Sequence, residues 1–150
     1  MMGVFATGVT VITTRNADGT PFGLTANAVT SVSLTPPILL ICVDRKAESF
    51  PHFFDSKIFV LNILAEHQED LSRRFATTGG DKFSGVAYRL GHLDSPILEG
   101  TLGHVECRIV ETHEAGDHVI HLGEVEDAAW RDGRPLLFFR GKYRQLHEPS

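Results

Sequence analysis

Residues 104–109 read His-Val-Glu-Cys-Arg-Ile, which sets Val105, Cys107 and Ile109 against His104, Glu106 and Arg108. Successive side chains of a strand point to opposite faces, so this period of two predicts a half-buried β-strand with the apolar set turned inward. Glu114-Ala-Gly-Asp117 carries turn chemistry, and Val119 to Val125 resumes an extended apolar run, so the two stretches form a hairpin. Downstream, Leu136 to Phe139 and Lys142 to Leu146 read as closing strands. Upstream, β-branched Val9 to Thr14 leads into the turn signal Asn16-Ala-Asp-Gly19. Phe22 to Leu34 reads as extended, and Ile38 to Asp44 and Phe59 to Leu64 as further strands, with Pro36-Pro37 predicting a stiff, extended connection. Two short helices interrupt the series. Ala47 to Phe54 is limited by Pro51, and Glu66 to Ala76 places Leu71 and Phe75 on one face, with Glu69, Asp70, Arg73 and Arg74 mostly on the other. About seven or eight short strands with two helices predict a mostly β fold. A closed antiparallel barrel is expected, because closure leaves no exposed edge.

The 150 residues read as one domain, 1–150, without repeat or linker; 42% are apolar and 22% charged, as in an ordinary globular chain. The formal charge of −5 comes from acidic and basic residues mixed along the chain, with no basic block, which argues against a nucleic-acid partner. Pro37 to Val43 is the longest apolar run and is too short to cross a bilayer. No positively charged segment follows Met1-Met2, so no secretory signal is read and a cytoplasmic location is expected. Cys42 and Cys107 lie inside strand-like runs without CxxC spacing, and read as two reduced thiols rather than a disulfide or a metal pair.

Four stretches could carry chemistry. In Gly23-Leu-Thr-Ala-Asn-Ala-Val-Thr-Ser-Val-Ser33, the polar groups of Thr25, Asn27, Thr30, Ser31 and Ser33 alternate with small or apolar residues such as Ala26 and Ala28. Small residues admit a planar ligand to the backbone and the hydroxyls offer hydrogen bonds; a water-facing edge strand has the same pattern. Cys42-Val-Asp-Arg-Lys-Ala-Glu-Ser49 joins a strand to a helix, where free N–H groups with Arg45, Lys46 and Ser49 suit a phosphate or merely solvate a junction. Arg73-Arg74-Phe75 pairs guanidinium groups with an aromatic, or simply decorates a helix C-terminus. Gly116-Asp117-His118 sets a histidine beside a carboxylate at a turn, able to donate to a carboxamide or phosphate, although the turn itself also explains it. His113, His118 and His121 match no zinc spacing, and no metal site is read. GxGxxG, GxxxxGK[ST] and GxSxG are all absent.

Taken in order, Phe5-Ala-Thr-Gly-Val-Thr-Val-Ile-Thr-Thr14, Gly23-Leu-Thr-Ala-Asn27, Ser31-Val-Ser-Leu-Thr-Pro-Pro37, Cys42-Val-Asp-Arg45, Asp81-Lys-Phe83, Gly116-Asp-His118 and Pro135-Leu-Leu-Phe138 closely resemble the flavin reductase-like family. That family includes the reductase components of two-component flavin monooxygenases, and the resemblance runs from Phe5 to Tyr143. It implies an antiparallel split β-barrel with two or three short helices, an FMN-binding split barrel that assembles as a homodimer. It implies NAD(P)H-dependent reduction of FMN or FAD, with reduced flavin passed to a partner oxygenase and no role for nucleic acid or membrane. A non-catalytic FMN- or haem-binding carrier and a flavoprotein oxidase are the rival readings.

Carried onto this sequence, the resemblance places the flavin against Thr25, Ala26, Asn27 and Ala28, with Ser31 and Ser33 on the same motif. It adds Cys42, Val43, Asp44 and Arg45, with Ser49, Arg74 and Phe75 toward the phosphate. His118, with Asp117 beside it, and Phe138, Phe139, Arg140 and Gly141 would meet the nicotinamide. His118 is expected to position that ring or its phosphates, because hydride donation needs no general base. Two positions depart from the family pattern. Only Met1 to Val4 precede the Phe-Ala-Thr-Gly motif, where the family carries a longer helical segment, so the N-terminal segment reads as shortened. Val29 stands where an aromatic is common.

Overall fold

The computed structural model describes residues 1–150 and pairs every strand antiparallel. The first half contains β1 (Thr7–Gly8), β2 (Thr10–Arg15), β3 (Pro21–Ala26), β4 (Val29–Leu34), β5 (Pro37–Asp44), α1 (Phe50–Ser56) and β6 (Ile58–Ile63). The second contains α2 (Glu69–Ala76), β7 (Tyr88–Leu90), β8 (Pro96–Leu98), β9 (Gly103–Ala115), β10 (His118–Trp130), β11 (Leu137–Phe139) and β12 (Lys142–Arg144). Seven strands form one sheet in the order β3-β2-β6-β9-β10-β5-β4, flanked by a small sheet β1-β11-β12 and the hairpin β7-β8.

The two edges of the large sheet, β3 and β4, are consecutive in the chain and joined only by Asn27 and Ala28. Two residues span no more than about 7 Å, so the sheet must curl until its edges nearly meet. No ladder runs between those edges. The barrel is therefore split, not closed as the strand count alone suggested, and on the β4 side of the seam Cys42 N–H donates to Ala28 O at 3.1 Å, carrying the β4–β5 ladder up to the link.

Two apolar clusters fill the molecule. One joins Ile12, Ile41, Val43, Phe53, Phe59, Leu61 and Cys107; the other packs Val9, Val11, Leu64, Phe75, Phe83, Leu98 and Leu136. Neighbouring Val11 and Ile12 belong to different clusters, so β2 is covered on both faces, which explains its unbroken β-branched run. Both cysteines are free thiols; Cys107 is fully buried, and that burial raises its pKa to about 12.

Several expectations need correction. Residues 104–109 do form a strand, but His104 and Glu106, expected to face water, are buried. The β7–β8 loop folds over that face, with His92 N–H and Leu93 N–H each donating to the Glu106 carboxylate at 3.1 Å. Phe22 to Leu34 is not continuous but breaks at the seam. Pro36-Pro37 does not extend the chain: Thr35-Pro36, whose peptide bond is cis, makes a tight turn that sets Leu34 opposite Pro37. The first helix starts at Phe50 rather than Ala47, with Pro51 in its first turn, where the missing N–H has no helical partner to lose. The second starts at Glu69, because Gln68 is occupied otherwise: its side chain accepts from Ala65 N–H at 2.9 Å and donates to Glu99 O at 3.0 Å.

Candidate active site

The end of β5 lies between the seam and the start of β10. Cys42, Val43 and Asp44 stand opposite Ile120, Val119 and His118, while Cys42 N–H is bonded to Ala28 O in the link at the seam. Asn27-Ala28, Cys42–Asp44 and Asp117-His118 are thereby gathered at one end of the barrel. Arg45 fastens the arrangement. Its backbone N–H donates to Asp117 O at 3.0 Å, its Nε–H to Gly116 O at 3.1 Å, and its guanidinium meets Glu114 Oε1 at 3.3 Å. Asp44 Oδ1 accepts from Lys46 N–H at 2.8 Å and turns the chain toward α1. The half-buried His118 places Nδ1 2.8 Å from Asp117 Oδ1, and this hydrogen bond holds the Asp117 carboxyl below the usual range. With Nδ1–H committed to the carboxylate, Nε2 is left to meet a ligand.

On the other side of the seam, a cavity of about 180 Å³ lies between Thr25–Asn27, Ser72 and Phe138. Thr25 Oγ1–H donates to Ser72 O at 2.6 Å, tying β3 to α2, and Asn27 Nδ2–H donates to Thr7 Oγ1 at 3.1 Å, tying the seam to β1. A neighbouring cavity of about 270 Å³ is lined by Phe22, Gly23, Ser49, Gly80 and Lys82 among others. Ser49 stands at the helix-capping position of α1 but makes no cap. Its Oγ is buried and has no hydrogen-bond partner. Glu48 Oε1 accepts from Gly79 N–H at 2.8 Å and latches the 77–82 loop over this cavity.

Not every expected residue comes to the site. Phe75 is a core side chain, so close to Gly23 that a Cβ there would stand 3.0 Å from its ring; it backs the site rather than lining it. Val43 is fully buried and offers only backbone. Arg74 lines a separate cavity of about 590 Å³ beside His67 and Glu99. Ser31 and Ser33 lie along the β4 edge, the first exposed and the second half-buried. Of the Phe138-Phe139-Arg140-Gly141 stretch only Phe138 reaches the small cavity. Arg140 and Gly141 form the β11–β12 turn with φ of 52° and 73°, and the Arg140 guanidinium lies 5.1 Å from the Phe139 ring. Lys82 was not expected. Its only sequence signal was the Asp81-Lys-Phe83 motif, whose place in the fold depends on the Glu48–Gly79 latch.

Comparison with known proteins agrees with this geometry. Residues 2–147 match the model of the flavin reductase like domain. The chain is 40% identical to the flavin-dependent monooxygenase reductase subunit HsaB of Rhodococcus jostii, over all of this chain and 76% of that protein. It is 40% identical to the FMN reductase (NADH) SmoA of Agrobacterium fabrum, over 95% of this chain and 80% of that one. The NADH:FAD oxidoreductase SgcE6 of Streptomyces globisporus, solved with NAD and FAD fragments, superposes with a TM-score of 0.92 at 38% identity, covering 97% of this chain and 88% of that one. A split antiparallel barrel, a polar seam with an unpartnered buried hydroxyl beside it, and a match over nearly the whole length place this chain in the flavin reductase-like family.

Proposed function

We propose that this chain is an NAD(P)H:flavin oxidoreductase that reduces FMN or FAD at the barrel seam and passes the reduced flavin to a separate oxygenase. The observation that carries the reading is the unpartnered, buried hydroxyl of Ser49, a residue that lines one cavity with Lys82. A buried hydroxyl without a partner is unfavourable unless a ligand completes it, and a nearby ammonium selects an anion. The donor set therefore fits a flavin phosphate. Ser49 and Lys82, with Lys46 on the adjoining turn, would hold that phosphate, while Arg45 fixes that turn through Gly116 and Glu114. Small Ala26 and Ala28 admit the ring to the seam, and backbone N–H groups near Ala26 and Asn27 stabilise negative charge on its carbonyl edge.

When bound, the flavin supplies the hydride-accepting chemistry. The protein's contribution is to orient the donor. Asp117 fixes the His118 ring through Nδ1, and Nε2 accepts from the nicotinamide carboxamide. His118 moves no proton in the step, since hydride donation needs no general base.

A homodimer is part of this proposal. The β4 edge exposes Val32 (49%) and Leu34 (87%), an unprotected apolar strand edge of the kind a second copy covers. Among the helices none is long and apolar enough to cross a membrane, and we place the protein in the cytoplasm.

The test is steady-state oxidation of NADH and NADPH with and without added FMN or FAD. Oxidation that depends on flavin is expected. A yellow but inert protein would overturn the enzymatic reading, and unchanged turnover and nicotinamide KM in His118→Ala would overturn the positioning role.

A further inference from the structure

Nine residues along β10 from His118, the outer face of the β9–β10 ribbon carries a second cluster that the flavin chemistry does not use. His104 Nε2 lies 3.7 Å from Asp127 Oδ2, and His92 Nε2 lies 3.9 Å from the same oxygen. Ligand atoms of His92, Glu106 and Asp127 all lie within 4.8 Å of one another. These separations are too long for hydrogen bonds. His104 is only 7% exposed, and its Nε2 is buried with no hydrogen-bond partner. The fully buried Glu106 carboxylate accepts one backbone N–H on each oxygen, from His92 and Leu93, and each oxygen keeps a free lone pair.

The backbone is bent to make this arrangement. Val125 stands opposite Cys107 and Asp127 opposite Glu106, so Glu126 is an extra residue in a β-bulge. In a regular strand Asp127 would share the inward face of Val125. The bulge turns it outward, onto the face of His104 and Glu106. Gly91 is small for the same reason, because a Cβ there would meet the Glu106 carboxylate at 2.0 Å. The loop carrying His92 can thus close down on the strands.

Two imidazoles and one or two carboxylates converging from three elements form a donor set suited to a borderline divalent cation. Tetrahedral zinc ligands about 2.05 Å from the metal stand about 3.3 Å apart, so the two His–Asp127 separations must close by about half an ångström and the others by up to about 1.5 Å, movements within reach of side-chain rotation. We propose that His92, His104 and Asp127, with Glu106 as fourth ligand, bind one Zn(II) ion that pins the β7–β8 loop to the barrel wall. The site is structural and independent of flavin binding.

Cobalt(II) is the probe. Full-length protein stripped with a chelator and titrated with Co(II) should develop the visible d–d absorption of a tetrahedral nitrogen–oxygen site. The signal should saturate at one ion per chain and be displaced by Zn(II). Zn(II) alone should raise the melting temperature of the wild type. His92 is solvent-exposed, so His92→Ala should retain its circular dichroism spectrum and its flavin-dependent NADH oxidation. Both His92→Ala and His104→Gln should lose the absorption band and weaken Co(II) binding at least about tenfold. Absence of a saturable band in the wild type, or its persistence in either variant, overturns the proposal.

Discussion

At the scale of single residues, the side chains that matter most are those whose polar atoms the fold leaves unfinished. Ser49→Ala removes a buried hydroxyl that bonds to nothing in the chain, so unfolding by urea should show stability unchanged or raised by up to about 1 kcal/mol. Flavin affinity should fall about tenfold, the loss of one hydrogen bond to a charged group, read by quenching of flavin fluorescence. An unaltered Kd would remove Ser49 from the phosphate site. His121 is a second such case, its Nε2 buried without a partner. It is fully buried, its Nδ1 lies 2.8 Å from Thr112 Oγ1, and desolvation lowers its pKa from 6.5 to about 4. The folded protein resists a proton that the unfolded chain accepts. Its stability contribution is therefore intact above pH 6.5 and is lost as pH falls toward 4, by up to about 3 kcal/mol. Urea midpoints across that window should slope for the wild type and flatten for His121→Leu. The sequence showed Ser49 as a possible phosphate donor, because it follows a strand end rich in Arg and Lys. It did not show that Phe75 is core, since an aromatic on a helix face looks the same whether it meets a ligand or Gly23.

At the scale of elements, period-two patterning located the long strands, but their faces depended on what later packed against them. His104 and Glu106 read as a solvent face because nothing local reveals that the β7–β8 loop lies over them. The two- and three-residue strands β1, β7, β8, β11 and β12 are too short to show any period, and only β11 and β12 were anticipated, each inside a longer run. Gly123 illustrates an element-level constraint. It lies within β10, and a Cβ there would stand 2.4 Å from the Phe59 ring and 2.7 Å from Cys107 Cβ. Gly123→Ala should therefore overpack the ribbon against β6 and cost about 1–3 kcal/mol, seen as a lowered denaturation midpoint with an unchanged m-value. A midpoint equal to wild type would mean the ring yields freely.

At the scale of the whole molecule, the ordered motifs conveyed the family and with it a split barrel, while the place of the split, between β3 and β4, came only from strand order. The proposed assembly is testable at this scale. Leu34→Glu places a charge on the exposed β4 edge, and sedimentation should show the dimer giving way to a species of half the mass. A dimer that persists would move the interface elsewhere. The Asn27-Ala28 bridge has one more consequence. Because it links the first and last strands of the sheet, its two flanks take their final places only after the five strands between them are paired, and three of the six pairings, β2–β6, β6–β9 and β5–β10, are distant in sequence. Contacts of that kind form late and slowly. The ligand-binding lip is accordingly assembled at the end of folding, and an immature chain has nowhere to capture free flavin. Recovery of flavin binding after dilution from denaturant thus times the completion of the fold itself.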